Sequence, residues 1–379
     1  MRSNGIWPLA AVVSAAALLA QEAPLPGGSV SINLPKDSPV TVISLTDQSR
    51  TTMRGAAMVL DLHMALMLRN SGPSRIHGVT LRVVSQEVTM GGKGSVTIPS
   101  LNVGPGDVFP VRIDMQLVRP TQVAGGPLVQ VDLDGVLFQN LGFYGPDRLN
   151  SRRYLTACEL EAQRDREHFK RILAQSGKEG LQRAMVESLA RQAEMQPLTV
   201  KVRRGAAVTS AALPASEHMA QFAFLKLPDS PVEPLQGSAV ISGNEARAPF
   251  VEVRNTTSRP VKYVEVGWLV SDQAGHEYLA GSLPSANLTF YLPPGNSGRV
   301  GQESTLNFSL GGQPLNIRKM TGFVAQVEFA DGTVWVPNRQ SLENPMLRRV
   351  LGPSAEEQRL SDLYRRKGPD ALIDELKKY

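Results

Sequence analysis

From Val30 to Phe143 the chain alternates apolar and polar residues in short stretches broken by Gly, Pro and Asn, which is the pattern of half-buried strands. Leu60, Leu62, Met64, Leu66 and Leu68 fall on one face of a strand, with Asp61, His63 and Arg69 on the other. Val79, Leu81 and Val83 repeat the alternation, as do Val129, Val131 and Leu133 against Gln130, Asp132 and Asp134. The pair Asp134-Gly135 predicts a tight hairpin, because both residues tolerate positive φ.

The same landmarks return in order further along. Arg69-Asn70-Ser71 matches Arg254-Asn255-Thr256, and Gly104-Pro105-Gly106 matches Pro293-Pro294-Gly295. Val129 to Phe138 is paired with Ala325 to Trp335, placing Asp134-Gly135 over Asp331-Gly332, so the offset grows from 185 to 197 residues. A diverged tandem repeat with loop insertions is expected. In the second copy Val264, Val266, Trp268 and Val270 alternate with Glu265, Gly267 and Leu269, which assigns Trp268 to the inner face.

Between the copies, Leu155, Cys158, Ala162, Phe169, Ile172 and Leu173 recur at spacings of three and four; Leu181, Met185 and Leu189 continue beyond Ser176 to Gly180. This predicts a helical hairpin over residues 151–196. Residues 197–236, carrying Pro214, Pro228, Pro231 and Pro234, read as a linker. Ser354 and Glu357 have capping-box spacing, and Gly368-Pro369 ends the helix they start; Leu372, Ile373 and Leu376 follow in a short last helix able to dock but not to build a core. The expected fold class is mainly β. Two Ig-like antiparallel β-sandwich domains, residues 30–146 and 237–340, flank the hairpin, and a helical tail covers residues 353–379.

Composition changes this picture at the N-terminus. Arg2 precedes the apolar run Leu9 to Ala20, too short to span a bilayer, so residues 1–20 read as a cleaved signal peptide and the mature chain begins near Gln21. With Cys158 as the sole cysteine, no internal disulfide supports the exported chain, and this thiol is expected to be a buried small hydrophobe. The net charge is +5, from 40 Lys and Arg dispersed among 35 Asp and Glu; aromatics are 6% and do not interleave with basic runs, which argues against a nucleic-acid surface.

Candidate chemistry is sparse. His63, His77, His168, His218 and His276 lack the spacing of a helix-borne zinc site, and no metal or cofactor is expected. Gly295-Asn296-Ser297-Gly298 lacks the setting of a nucleophile elbow, and Gly91, Gly92 and Gly94 read as a hairpin end rather than a phosphate cradle. Asp132, Asp134, Glu328 and Asp331 are candidates for a paired-carboxylate site but read as strand and turn residues. Asn255, Asn287 and Asn307 each open an Asn-x-Ser/Thr triplet. No catalytic, metal-ligating or cofactor-binding residue is assigned.

The pieces "LRNSGPSRIHGVTLRVVS" with "IPSLNVGPGD", and "EVRNTTSRPVKYVEVGWLVSDQAGHEY" with "LPPGNSG", resemble bacterial Ig-like sandwich domains of the CARDB and FxLYD kind. In those families an Asn-containing turn links two strands and a Pro-Gly segment precedes a later one. The resemblance implies the fold and not an activity, and such families are associated with extracellular or envelope adhesion and scaffolding. The first expectation is accordingly a non-catalytic secreted or periplasmic envelope protein whose sandwiches present loops or edge strands to a protein or glycan. Two alternatives stand beside it: a periplasmic chaperone-like assembly factor, and a hydrolase of unrecognised type, the latter to be recognised by a pocket with convergent carboxylates or a histidine beside a serine.

Overall fold

A computed structural model of the chain describes residues 22–24, 29–121, 126–195, 198–204, 217–284, 290–301 and 304–379. The signal segment, Pro214 and Asn287 lie outside the described residues. The fold is mostly β, in several antiparallel sheets with a few helices. It divides into two compact units, one of Met1–Arg75, Thr80–Thr97 and Val103–Asp134, the other of Ile76–Val79, Ile98–Asn102 and Gly135–Tyr379.

The first unit is organised by the strand Ala57–Asn70, which pairs antiparallel with Val108–Pro120 on one side and with Val40–Asp47 and Arg50–Arg54 on the other. Leu60, Leu62, Met64, Leu66 and Leu68 are all buried, as their alternation requires, while His63 and Arg69 are exposed. A second sheet runs Phe143–Tyr144, Val129–Phe138, Ile76–Val84, Lys93–Ile98, and Val30–Asn33 joins Val129–Phe138 in parallel.

In the second unit, one sheet holds Leu198–Arg204, Ser304–Leu310, Glu245–Asn255, Val232–Ser242 and His218–Gln221 in that order. The other holds Ala223–Leu225, Ile317–Phe329, Val261–Asp272 and Glu277–Pro284. Their inner faces share one core. Val264, Val266, Trp268 and Val270 all lie in it, and the Trp268 indole meets the Phe222 ring edge-on at 4.6 Å. The outer face is buried as well, since Leu269 and Phe323 pack under Leu347 and Val350. Residues 197–236 are therefore not a linker throughout: they supply three strands and the start of a fourth, because short alternating pieces such as Leu198, Val200 and Val202 find open sheet edges to pair with.

Asn70 and Asn255 continue the inward phase of their strands and are fully buried. The Asn70 side-chain amide donates to Ser74 O (2.9 Å) and Val103 O (3.1 Å), and its carbonyl accepts from Gly72 N (3.1 Å). Asn255 donates to Arg259 O (2.7 Å) and Leu292 O (3.1 Å) and accepts from Thr257 N (3.0 Å). The main chain repeats too: Asn70 N bonds Asp107 O and Gly106 N bonds Asn70 O, while Asn255 N bonds Asn296 O and Gly295 N bonds Asn255 O. Each asparagine thus ties its own turn to the Pro-Gly turn, satisfying buried backbone groups that no strand partner reaches.

The Asp-Gly landmark is wrong in register. Asp134 and Gly135 lie inside the strand Val129–Phe138, and the turn comes later, where Leu141 N bonds Phe138 O and Phe138 N bonds Gly142 O. Its counterpart is the turn where Gly332 N bonds Phe329 O and Phe329 N bonds Thr333 O, so Leu141 (φ 62°) stands where Gly332 (φ 83°) does. Gly135 is glycine for another reason: a Cβ there would lie 2.2 Å from Cζ of Phe143, whose ring covers it. With that correction Phe138, Asn140 and Leu141 align with Phe329, Asp331 and Gly332, all at one offset.

Helix α1 (Ser151–Glu194) breaks at Gly177 (φ 64°), which confirms two helices joined at a glycine. Two short helices, α2 (Arg339–Leu342) and α3 (Pro345–Val350), precede α4 (Ala355–Leu376), which breaks at Gly368 (φ 80°) in the same backbone conformation. Only half of the predicted capping box forms: Ser354 Oγ accepts from Glu357 N, but the Glu357 carboxylate turns away to Ser188. Phe169, Leu181 and Met185 of α1 share a core with Leu360, Leu372 and Leu376 of α4. The last helix is thus built into a core rather than weakly docked, since Leu372 and Leu376 meet apolar partners on α1.

Candidate functional site

The spacing that buries Leu155, Ala162 and Phe169 on α1 also buries Glu159 and Arg166, which fall on the same helical stripe. Arg166 Nη2 bonds Glu159 Oε1 at 2.5 Å, its Nη1 lies 3.3 Å from Glu356 Oε1, and Glu159 lies 2.9 Å from His77 Nδ1. Burial alone would raise the Glu159 carboxyl, but the His77 imidazole and the Arg166 charge outweigh it and hold it below the usual carboxylate range. Beside them the Tyr379 ring rests on the Arg166 guanidinium at 4.0 Å, edge-on to His77 at 6.0 Å, with Arg359 Nη2 donating to its hydroxyl at 3.3 Å.

A cavity of about 310 Å³ opens elsewhere in the helical layer, lined by Arg164, Asp165, His168, Ser188, Arg191, Arg339 and Glu357, with an apolar wall of Phe169, Ile172, Ala184, Leu342 and Leu351. The polar side chains hold one another. Arg164 clasps Asp165 at 3.0 and 3.3 Å and donates to Pro337 O at 2.9 Å; Arg339 stands 3.5 Å from Asp165. Ser188 Oγ donates to Glu357 Oε1 at 2.6 Å, and Arg191 pairs with the same carboxylate. Burial and the Arg339 charge push His168 down to about 4, so it is neutral near pH 7.

The cavity brings together a serine, a histidine and two carboxylates, the constellation named as the mark of a hydrolase. The pairing is not that of one. Ser188 is bonded to a carboxylate and lies 3.3 Å from Ser361 Oγ, while the ring contact of His168 is with Phe169. The group that the serine hydroxyl faces is the Glu357 carboxylate, which Arg191 also holds.

The other candidate residues lie apart from this cavity. His63 sits between Asp61 and Asp114 on an exposed strand face, and its hydrogen bond to Asp114 raises its pKa; His77 is buried against Glu159 instead. His218 opens an exposed strand and His276 caps a turn through Asp272. Asp132 bonds Asn33, Gln130 and Arg82, and Asp134 is buried in its strand. Glu328 pairs with Lys262, and Asp331, held down to about 2 by Thr333 and Arg259, shapes its turn. Each reads as a strand or turn residue. Asn255 is buried and Asn307 bonds Arg203 within a sheet. Gly91 and Gly92 form the hairpin end, but Gly94 lies inside the strand Lys93–Ile98. Cys158, expected to be buried, is part-buried, and desolvation pushes its thiol up to about 12, where it stays protonated. Sequence reasoning missed the charged layer because mixed charge on a helix reads as solvated; the available signal was Glu159 and Arg166 falling inside the apolar stripe.

No protein-family model matches the chain, and no curated protein does. Among solved structures, a Northeast Structural Genomics Consortium target aligns with 33% of this chain and 83% of its own at 13% identity and a TM-score of 0.18. Red sea bream transglutaminase aligns over 80% and 32% at 8% identity (TM-score 0.12), and a two-domain protein of unknown function from Bacteroides fragilis over 78% and 91% at 6% (TM-score 0.13). Similarity at this level carries no argument about fold or function. Among the described residues, no helix is long and apolar enough to cross a membrane.

Proposed function

We propose that the chain is a non-catalytic, exported binding or scaffolding protein of the cell envelope, built on two copies of an Ig-like sandwich of the CARDB or FxLYD kind. The observation that carries the reading is the cavity's chemistry: its serine is bonded to a carboxylate while the Nε atoms of Arg191 and Arg339 are left without a partner, which suits holding a ligand more than turning one over. Two observations support the rest. The matching asparagine networks close the turns on which the resemblance rests, and the hairpin end presents Val88 and Met90 almost fully to solvent, as a loop used for contact would.

The test is expression with and without residues 1–20 in a bacterial host, followed by capture of envelope partners by the mature chain. Export with processing near Gln21, and a reproducible protein or glycan partner lost on Val88→Ser with Met90→Ser, supports the proposal. Retention in the cytoplasm, or turnover of an ester or peptide substrate that Ser188→Ala abolishes, overturns it.

A further inference from the structure

Helix α4 (22 residues) corresponds in position to the stretch Arg164 to Met185 of the longer α1 (44 residues). Gly177 answers to Gly368, and Phe169, Leu181 and Met185 answer to Leu360, Leu372 and Leu376, their partners in the shared core. Contacts are exchanged in the manner of a two-fold interface: Ser188 of α1 meets Glu357 of α4, and Tyr379, at the place equivalent to Ser188, meets Arg166, at the place equivalent to Glu357. Asp165 and Glu356 likewise share a position, and each is a buried acid held between arginines.

At one of the two places a phenol ring fills the space. At the other the residue is serine, and the space is the cavity. Its inner wall offers three guanidinium groups, Arg164, Arg191 and Arg339, against the carboxylates of Asp165 and Glu357, with Glu187, Glu343 and Arg348 exposed at the rim. The Nε atoms of Arg191 and Arg339 are buried without a hydrogen-bond partner. Burial first, and the Arg339 charge second, keep His168 neutral beside them. The lining also includes the apolar side chains of Phe169, Ile172 and Ala184.

We propose that this cavity binds a small aromatic carboxylate, whose ring takes the place that the Tyr379 ring holds in the other copy and whose carboxylate faces Arg191 and Arg339. Inorganic phosphate or acetate would satisfy the arginines and leave the apolar wall empty; a neutral ring would do the reverse. The proposal rests on reading the cavity as a binding site.

The test uses the full chain and fluorine NMR of 4-fluorobenzoate, with 4-fluorobenzamide as the uncharged analogue and acetate as competitor. The expected result is binding of 4-fluorobenzoate by the wild-type chain and at least tenfold weaker binding of the amide. Acetate at equal concentration should not displace it. Ser188→Tyr, which restores the residue used in the other copy, should weaken binding at least tenfold; Ala184→Leu should do the same by narrowing the apolar wall, should the tyrosine variant fail to fold. No binding at millimolar ligand, equal binding of the amide, displacement by acetate, or unchanged binding in a folded Ser188→Tyr or Ala184→Leu variant overturns the assignment. Those outcomes leave the binding reading standing, whereas substrate turnover dependent on Ser188 sinks that reading itself.

Discussion

The backbone groups bonded by the Asn70 and Asn255 side chains match one for one, Asn255 adding a bond from the Thr257 hydroxyl, whereas the places of Ser188 and Tyr379, equally equivalent, differ by an open cavity against a packed ring. The difference follows from what each side chain satisfies. An asparagine that bonds three buried backbone groups can be exchanged for nothing of the same size without orphaning some of them. A side chain that fills space between helices can shrink, provided the charged groups around it find other partners, as Glu357 finds Arg191. Repetition is therefore strict where the backbone is buried and loose where helices meet.

The largest expected effect sharpens the comparison within the sheets. Trp268 lies thirteen residues beyond Asn255, and Val83 lies thirteen beyond Asn70; both are buried. Trp268→Ala removes a whole indole from a core it shares with Phe222 and should cost about 3–5 kcal/mol, while Val83→Ala removes two methyl groups and should cost roughly half as much. Urea denaturation of both variants provides the check. Equal losses would mean that the two positions do not stand in equivalent cores.

A smaller effect tests the asparagines directly. Asn70→Ala and Asn255→Ala each leave two carbonyl groups and one amide without the partner they have now, so each should lose about 2–4 kcal/mol. The losses should agree within about 1 kcal/mol, because each substitution strips the same set of backbone partners. A variant tolerated in one copy and ruinous in the other would break the equivalence that the hydrogen bonds imply.

Strand phase was the most legible feature of the sequence. The even-numbered leucines of Ala57–Asn70 and the inner face around Trp268 follow from alternation alone, and the helix breaks from the glycines that interrupt the three-and-four spacing. Turn chemistry was less reliable, because Asp-Gly suits a hairpin and a glycine beneath an aromatic ring equally well; only the position of Phe143 decides for Gly135. The cavity was not legible at all. It depends on α1 meeting α4 far along the chain, and composition shows charges without showing that Arg166 and Glu356 face each other indoors.

The smallest effect concerns two groups of α1, Glu161 and His168, whose environments shift them in opposite senses. Burial, aided by the nearby Asp165 and Glu265, lifts Glu161 to about 7 against the pull of Arg164. Burial and Arg339 lower His168 to about 4. A carboxyl raised on folding keeps its proton longer in the native state, so its burden on stability grows as pH rises from about 4.5 to 7. A histidine lowered on folding does the reverse: the unfolded chain takes the proton first, and stability falls as pH drops from about 6.5 to 4. Neither side chain is fully enclosed, so each contribution is discounted for solvent to on the order of 1–2 kcal/mol. Glu161→Gln should therefore gain on the wild type between pH 4.5 and 8, and His168→Gln should gain on it between pH 7 and 4. Urea midpoints across that range decide the matter. Profiles parallel to the wild type in both variants would mean that these groups titrate as they do in the unfolded chain, and that the helical layer is open to water where the structure closes it.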